Sequence, residues 1–286
     1  MLFKKLQLAA LVAIASTLTG CAVTPTAAKF DPDKSRALNI AQAGGIIKGL
    51  KDTTIPKDGT GAMGDSILTK GFDAGMGWIN PGAGLSSLQG LGVGLLMGLF
   101  EPDSPGARNS FIAWMPIDMA ESEKDARYKI QELFFNKTKQ ILERNNIKYV
   151  FNYGKDIKTV VDLSHAAFFT IDDESCKIDG KRYCSISLKA YNVGKSISPE
   201  FLPAGGEDVY SFPANGGHKY NTIDVNIQKG YKLSQTEVFQ EISKEMPDWF
   251  FIYLSPEKVL TKDGEKLKFP VLLEQGKANL FVIPEK

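Results

Sequence analysis

Between Ser110 and the C-terminus only two stretches combine a helical apolar period with a start signal, and this scarcity constrains the fold more than any other feature. Ser122 to Arg144 turns Ala126, Ile130, Leu133, Phe134, Ile141 and Leu142 to one side, with Ser122 as the N-cap and Asp125 three residues on. The second opens on the capping box Ser234-Gln-Thr-Glu237, carries Val238, Ile242 and Met246 on one side, and stops at Pro247. The other apolar runs are short, alternating or aromatic. They are "SFIAWMPI", "IKYVFNYG", "TVVDLSHAAFFTID", "YCSISLKAYNV", "DVYSFPA", "YNTIDVNI", "DWFFIYLSP" and a closing pair in "KFPVLLEQGKANLFVI" that turns near Gln275-Gly276. Few helices among many short strands predict an α+β fold. Its sheet should be mostly antiparallel, with two main helices and an opening strand, helix, strand unit. In "DWFFIYLSP", alternation sets Trp249, Phe251 and Tyr253 against Phe250 and Ile252. That pattern suits a strand buried on both faces or a partner-binding edge.

The composition upstream is different. Residues 37–106 read as a glycine-rich, partly apolar helical region, and residues 107–286 as the α+β globular domain. "KSRALNIAQAGGIIKGLKD" spaces Leu38, Ile40, Ala41, Ile47 and Leu50 for a short helix, which Gly44 and Gly45 weaken. After Asn80-Pro81-Gly82, a turn signal, comes "PGAGLSSLQGLGVGLLMGLF", which carries no charge and repeats Gly82, Ser86, Gly90, Gly94 and Gly98 at every fourth position. A helix of this length reaches about 30 Å, the thickness of a bilayer core, and its row of small residues forms a glycine zipper for close backbone packing. Three readings stay open: a membrane-inserted or homo-oligomer-forming helix, a tight glycine-rich hairpin packed on the domain, and a disordered segment. The preceding half contains Asp65, Lys70 and Asp73, which are costly at mid-membrane.

The first residues, "MLFKKLQLAALVAIASTLTGC", run from Lys4 and Lys5 through an apolar stretch to small residues, the order of an export signal. The stretch is shorter than the roughly 20 residues of a permanent span. Leu18-Thr19-Gly20-Cys21 resembles the lipobox of bacterial lipoproteins. That resemblance implies a signal peptide over residues 1–20, cleavage between Gly20 and Cys21, and diacylglycerol plus an amide-linked acyl chain (a palmitate-type modification) on Cys21. Two or three chains hold a protein stably on a bilayer. Ala22 stands where inner-membrane retention would have aspartate, so the resemblance implies the outer membrane, with the chain facing the periplasm or the cell surface. Residues 21–36 then read as the lipidated tether. In plan the chain is similar to TraT-type surface-exclusion lipoproteins, although here the glycine segment precedes the strand, helix, strand unit.

Without residues 1–20 the chain keeps 32 basic against 33 acidic residues, which leaves no electrostatic footprint for nucleic acid. Beyond Cys21 the cysteines are Cys176 and Cys184, flanking "KIDGKRY". Their equal distance from Gly180 predicts a hairpin with a three-residue loop of Asp179, Gly180 and Lys181, closed by a disulfide in an oxidising compartment. Their spacing lacks the paired ligands of zinc motifs.

Chemistry is otherwise sparse. His165 in "LSHAAFF" and His218 in "NGGHKY" have no serine or cysteine and acid partners in recognisable context. "DGTGAMGDS" lacks the Gly-Lys-Ser/Thr ending of a phosphate loop, and Asp172, Asp173 and Glu174 lack calcium-loop spacing. The expectation is therefore a non-enzymatic outer-membrane lipoprotein with no cofactor and no catalytic or metal site. It would serve as a structural or assembly component of a cell-envelope or transfer/secretion apparatus, with the bilayer as partner through Cys21. The alternative is a periplasmic ligand- or peptidoglycan-binding lipoprotein in which the glycine segment is only fold.

Overall fold

A computed structural model describes residues 27–47, 49–55, 105–153, 166–178, 181–182, 184–215, 219–256, 258–260, 264, 266–267 and 269–286. The signal, Cys21, His165, His218, "DGTGAMGDS" and the glycine zipper from Gly82 to Gly98 lie outside the described residues.

The described chain is α+β. Its helices are α1 (Arg36–Ala43), α2 (Glu123–Arg144) and α3 (Gln235–Glu245). Its strands are β1 (Thr53–Ile55), β2 (Ser110–Pro116), β3 (Tyr149–Tyr153), β4 (Ala166–Ile171), β5 (Lys177–Ile178), β6 (Lys181–Arg182), β7 (Ser185–Lys189), β8 (Gly194–Ile197), β9 (Asp208–Phe212), β10 (Thr222–Asn226), β11 (Phe250–Leu254), β12 (Val271–Glu274), β13 (Lys277–Leu280) and β14 (Val282–Pro284). The main sheet runs β13-β12-β11-β2-β10-β7-β4-β3 and is antiparallel throughout, with β9 on the β10 side of β2 and β8 outside β9. β2, α2 and β3 form the expected strand, helix, strand unit, but β10, β7 and β4 lie between its two strands.

Alternation along the strands builds two cores. Phe111, Ala113 and Met115 of β2 face α2 and α3, together with Phe250, Ile252 and Leu254 of β11. Ile112, Trp114, Phe251 and Tyr253 face the layer that carries α1. β11 is thus buried on both faces, between β2 and β12, and is no edge. Trp249 departs from the expected alternation and packs with Phe250's core, because it precedes the first strand residue and its carbonyl accepts from Trp114 N.

Local signals set the helix ends. Ser122 accepts from Asp125 N, while the Asp125 carboxylate takes the Glu121 amide instead of completing a capping box. The Ser234 and Glu237 box is complete. Asn146, at φ 52°, ends α2, with Ile147 N donating to Leu142 O. Gly44 and Gly45, which weakened the sequence-based helix, are its stop. Gly45 takes φ +88°, its N–H donates to Gln42 O, and Ile46 N donates to Ala41 O, a Schellman closure. A Cβ on Gly44 would sit 2.4 Å from the Ile112 side chain, so the bare backbone lets the helix end rest on β2. The early stop also exchanges the expected inward residue: Ile46 is buried and Ile47 is 70% exposed.

Residues 27–36, expected as tether, belong to the folded unit. Ala28 O accepts from Glu200 N, Phe30 packs edge-on against Phe201, and Arg36 forks onto Glu274 at 2.8 and 2.6 Å. That fork ties α1 to β12 and, through the bidentate hydrogen bond, raises the Arg36 pKa.

Cys176 and Cys184 form a disulfide. The hairpin beneath it differs by one residue from expectation: Ile178 pairs with Lys181 and Lys177 with Arg182, which leaves a two-residue connection. The cysteines bridge despite that offset because Cys176 closes the short 3-10 turn Glu174–Cys176 and Cys184 lies past β6. Mutating both to alanine is expected to lower stability by roughly 2.5 kcal/mol, from the closed-loop length. Chemical unfolding of the oxidised protein and the double mutant reads this directly.

Candidate functional site

The polar groups of the fold gather where a long ribbon is interrupted. β7 ends at Lys189 and the chain resumes as β8 at Gly194. On the facing strand, β9 ends at Phe212 and the chain resumes as β10 at Thr222. Lys189 stands opposite Thr222 on one side of the break and Gly194 opposite Ser211 on the other, so the β9–β10 side carries six more residues across it than the β7–β8 side, and the register shifts by that much.

Asn221 fills the break. It is wholly buried, and its Oδ1 accepts from Tyr191 N at 2.8 Å and Asn192 N at 2.9 Å. Its Nδ2 donates to Asn192 O at 2.7 Å and Pro213 O at 2.9 Å. One side chain thereby satisfies backbone groups that the broken ladder abandons, which matters because a buried unpaired backbone group is costly. Ala214 N donates to Gly44 O, so the junction also leans on the end of α1.

Cations surround the junction. The Arg108 guanidinium lies 4.6 Å above the Tyr220 ring, and Lys219 Nζ lies 5.0 Å above Tyr191. Next to them is a hollow of about 340 Å³ lined by Arg108, Asn109, Lys189, Thr222, Asp224 and Lys258. A neighbouring hollow of about 480 Å³ is lined by Tyr191, Asn192, Lys195, Ser196, Ser211 and Pro213.

Among the described residues, the first hollow is lined by the cations Arg108, Lys189 and Lys258 and by the carboxylate of Asp224. Lys189 Nζ stands 3.9 Å from Asp224 Oδ2. Asp224 keeps 53% of its side-chain surface open to solvent. The protein mass around its carboxyl nevertheless dominates, and this desolvation raises its pKa against the opposing pull of Lys189 and then Arg108. Thr222 Oγ1 has no hydrogen-bond partner among the described residues.

The acidic stretch Asp172, Asp173 and Glu174 is occupied with its own turn. Asp173 accepts from Ser175 N at 2.9 Å and Ser175 Oγ at 2.6 Å, and the hydroxyl bond is the main reason its carboxyl sits low. Glu174 pairs with Lys177. Among the described residues, no group of three His, Cys, Asp or Glu side chains is placed to hold a metal ion.

Sequence reasoning did not find Arg108, Lys189, Asn221, Thr222, Asp224 or Lys258. Part of the signal was present: alternation in "SISLK" and "TIDVN" sets Ser185, Ser187 and Lys189 with Thr222, Asp224 and Asn226 on the polar face of two strands. That those strands are neighbours, and that Arg108 and Lys258 join them, comes from the tertiary fold. No protein family, curated protein or solved structure matches the chain.

Proposed function

We propose that this chain is a lipoprotein held on the outer membrane through an acylated Cys21, with a non-enzymatic role as a structural or assembly component of a cell-envelope or transfer/secretion apparatus. The observation that carries the reading is the ending Leu18-Thr19-Gly20-Cys21 behind an export-type apolar stretch. Two structural facts are in keeping with it. The Cys176–Cys184 disulfide suits an oxidising compartment. Ala28, already bonded to Glu200, stands seven residues from Cys21, at most about 25 Å of extended chain. Such a lipoprotein would ride close to its bilayer, with Gly82, Ser86, Gly90, Gly94 and Gly98 as its self-association element. No helix among the described residues is long and apolar enough to cross a membrane.

Acyl labelling followed by extraction in mild detergent tests both parts. Wild type is expected to carry label and to run as an oligomer. Cys21→Ser should lose the label and the membrane attachment, and Gly94→Leu should run as a monomer. Label that survives on Cys21→Ser refutes the anchor, and an unchanged particle mass for Gly94→Leu refutes the zipper.

The hollow beside Asn221 favours a second reading, a periplasmic ligand- or peptidoglycan-binding lipoprotein. An interrupted ribbon pinned by a buried side chain is a firm mount for charged groups, as a binding site requires.

A further inference from the structure

We propose that the hollow lined by Arg108, Lys189, Thr222, Asp224 and Lys258 is a binding site for a phosphate group. The inference rests on the ligand-binding reading and does not depend on the anchor.

Charge selects an anion. Among the described residues that line it, three cationic side chains stand with one carboxylate. A guanidinium, two ammonium groups and the buried Thr222 hydroxyl offer more donors than the two oxygens of a carboxylate can take, and suit the several oxygens of a phosphate group. A local field of this kind acts within about 8–10 Å at ordinary salt, so it serves a ligand in the hollow more than distant partners.

Pre-organisation adds to charge. Stacking on Tyr220 holds the Arg108 guanidinium in place, and a planar fork held beforehand loses less entropy when it binds phosphate oxygens. Lys189 and Thr222 face each other across the β7 and β10 ladder, so their spacing is fixed by backbone hydrogen bonds. Asn221, adjacent to Thr222, locks that ladder at its end. Lys258 comes from the segment after β11 and closes another side. Asp224 opposes the ligand, because it holds Lys189 at 3.9 Å and brings a negative charge into the hollow. Its removal should therefore strengthen binding, an outcome that a merely structural ion pair does not give.

Calorimetric titration of the full mature chain in detergent is the test, with inorganic phosphate in one arm and dihexanoyl phosphatidylglycerol, below its micelle concentration, in the other. Saturable phosphate binding is expected in at least one arm. Lys258→Gln should weaken it about fivefold and Asp224→Asn should tighten it about threefold, without moving the unfolding midpoint. Binding of inorganic phosphate identifies a free phosphate or phosphomonoester as the source, and binding of the lipid alone identifies a headgroup. No saturable binding in either arm, or binding indifferent to both substitutions, overturns the proposal. Sedimentation with peptidoglycan sacculi separates the two failures. Sacculus binding lost in Lys258→Gln, with no phosphate binding, would leave the ligand-binding reading standing and overturn the phosphate assignment.

Discussion

Asn221→Ala is expected to lower the unfolding free energy by about 3–5 kcal/mol, a large share of the stability of an ordinary domain. The substitution removes four hydrogen bonds at once and leaves the amides of Tyr191 and Asn192 and the carbonyls of Asn192 and Pro213 without their partner in a buried place. Each stranded buried group costs about 1–3 kcal/mol, reduced where water enters the space vacated. Denaturant unfolding measures the loss. A drop below about 1 kcal/mol would mean that the ribbon break holds its shape without the side chain. The same variant, studied well below its midpoint, should also bind phosphate more weakly. Asn221 fixes the end of the ladder on which Lys189 and Thr222 stand.

Phe250→Ala should cost a similar amount, about 3–5 kcal/mol, through a different mechanism. Phe250 is fully buried, stacks on Phe111 with centroids 5.3 Å apart and planes 12° apart, and sits in the interior strand β11 beneath α3. Truncation leaves a cavity that β2 and β12, hydrogen-bonded on either side, cannot collapse to fill. Phe250→Leu keeps most of the volume and should lose much less. Phe30→Ala serves as the contrast, since Phe30 is 45% exposed and should shift stability by little. Equal losses at Phe30 and Phe250 would contradict the placement of the core.

Some of this was legible in the sequence. The starts of both long helices were written in Ser122 and Ser234, because a cap acts over three residues and needs nothing from the rest of the chain. The closing hairpin was equally plain: Gln275 and Gly276 take φ 50° and 74°, the left-handed pair that a two-residue hairpin turn requires. Other features were partly legible. Cys176 and Cys184 were rightly paired, but the loop length inferred from their symmetry was one residue too long, because a disulfide fixes the distance between two Cα atoms and not their register. Gly44 and Gly45 read as a weakness in a helix and proved to be its terminus, a distinction set by how Ile46 folds back to bury itself.

The binding hollow was hidden for a stronger reason. Asn221 looks like any polar residue before a strand, and its partners lie 29 and 30 residues upstream in β7's exit as well as 8 residues upstream at Pro213. Arg108 and Asp224 are more than a hundred residues apart, and nothing local links them.

The sequence by itself determined the kinds of element, most of their limits and the faces they bury, along with the cysteine pair. Those follow from caps, turns and alternation, whose energies act between residues a few positions apart. The tertiary structure decided the order of the strands, the interior place of β11, the break in the β7–β10 ribbon and the meeting of Arg108, Lys189, Asp224 and Lys258. Sheet order is chosen by burial summed over the whole chain, and a charged hollow exists only once that order brings distant residues to one place.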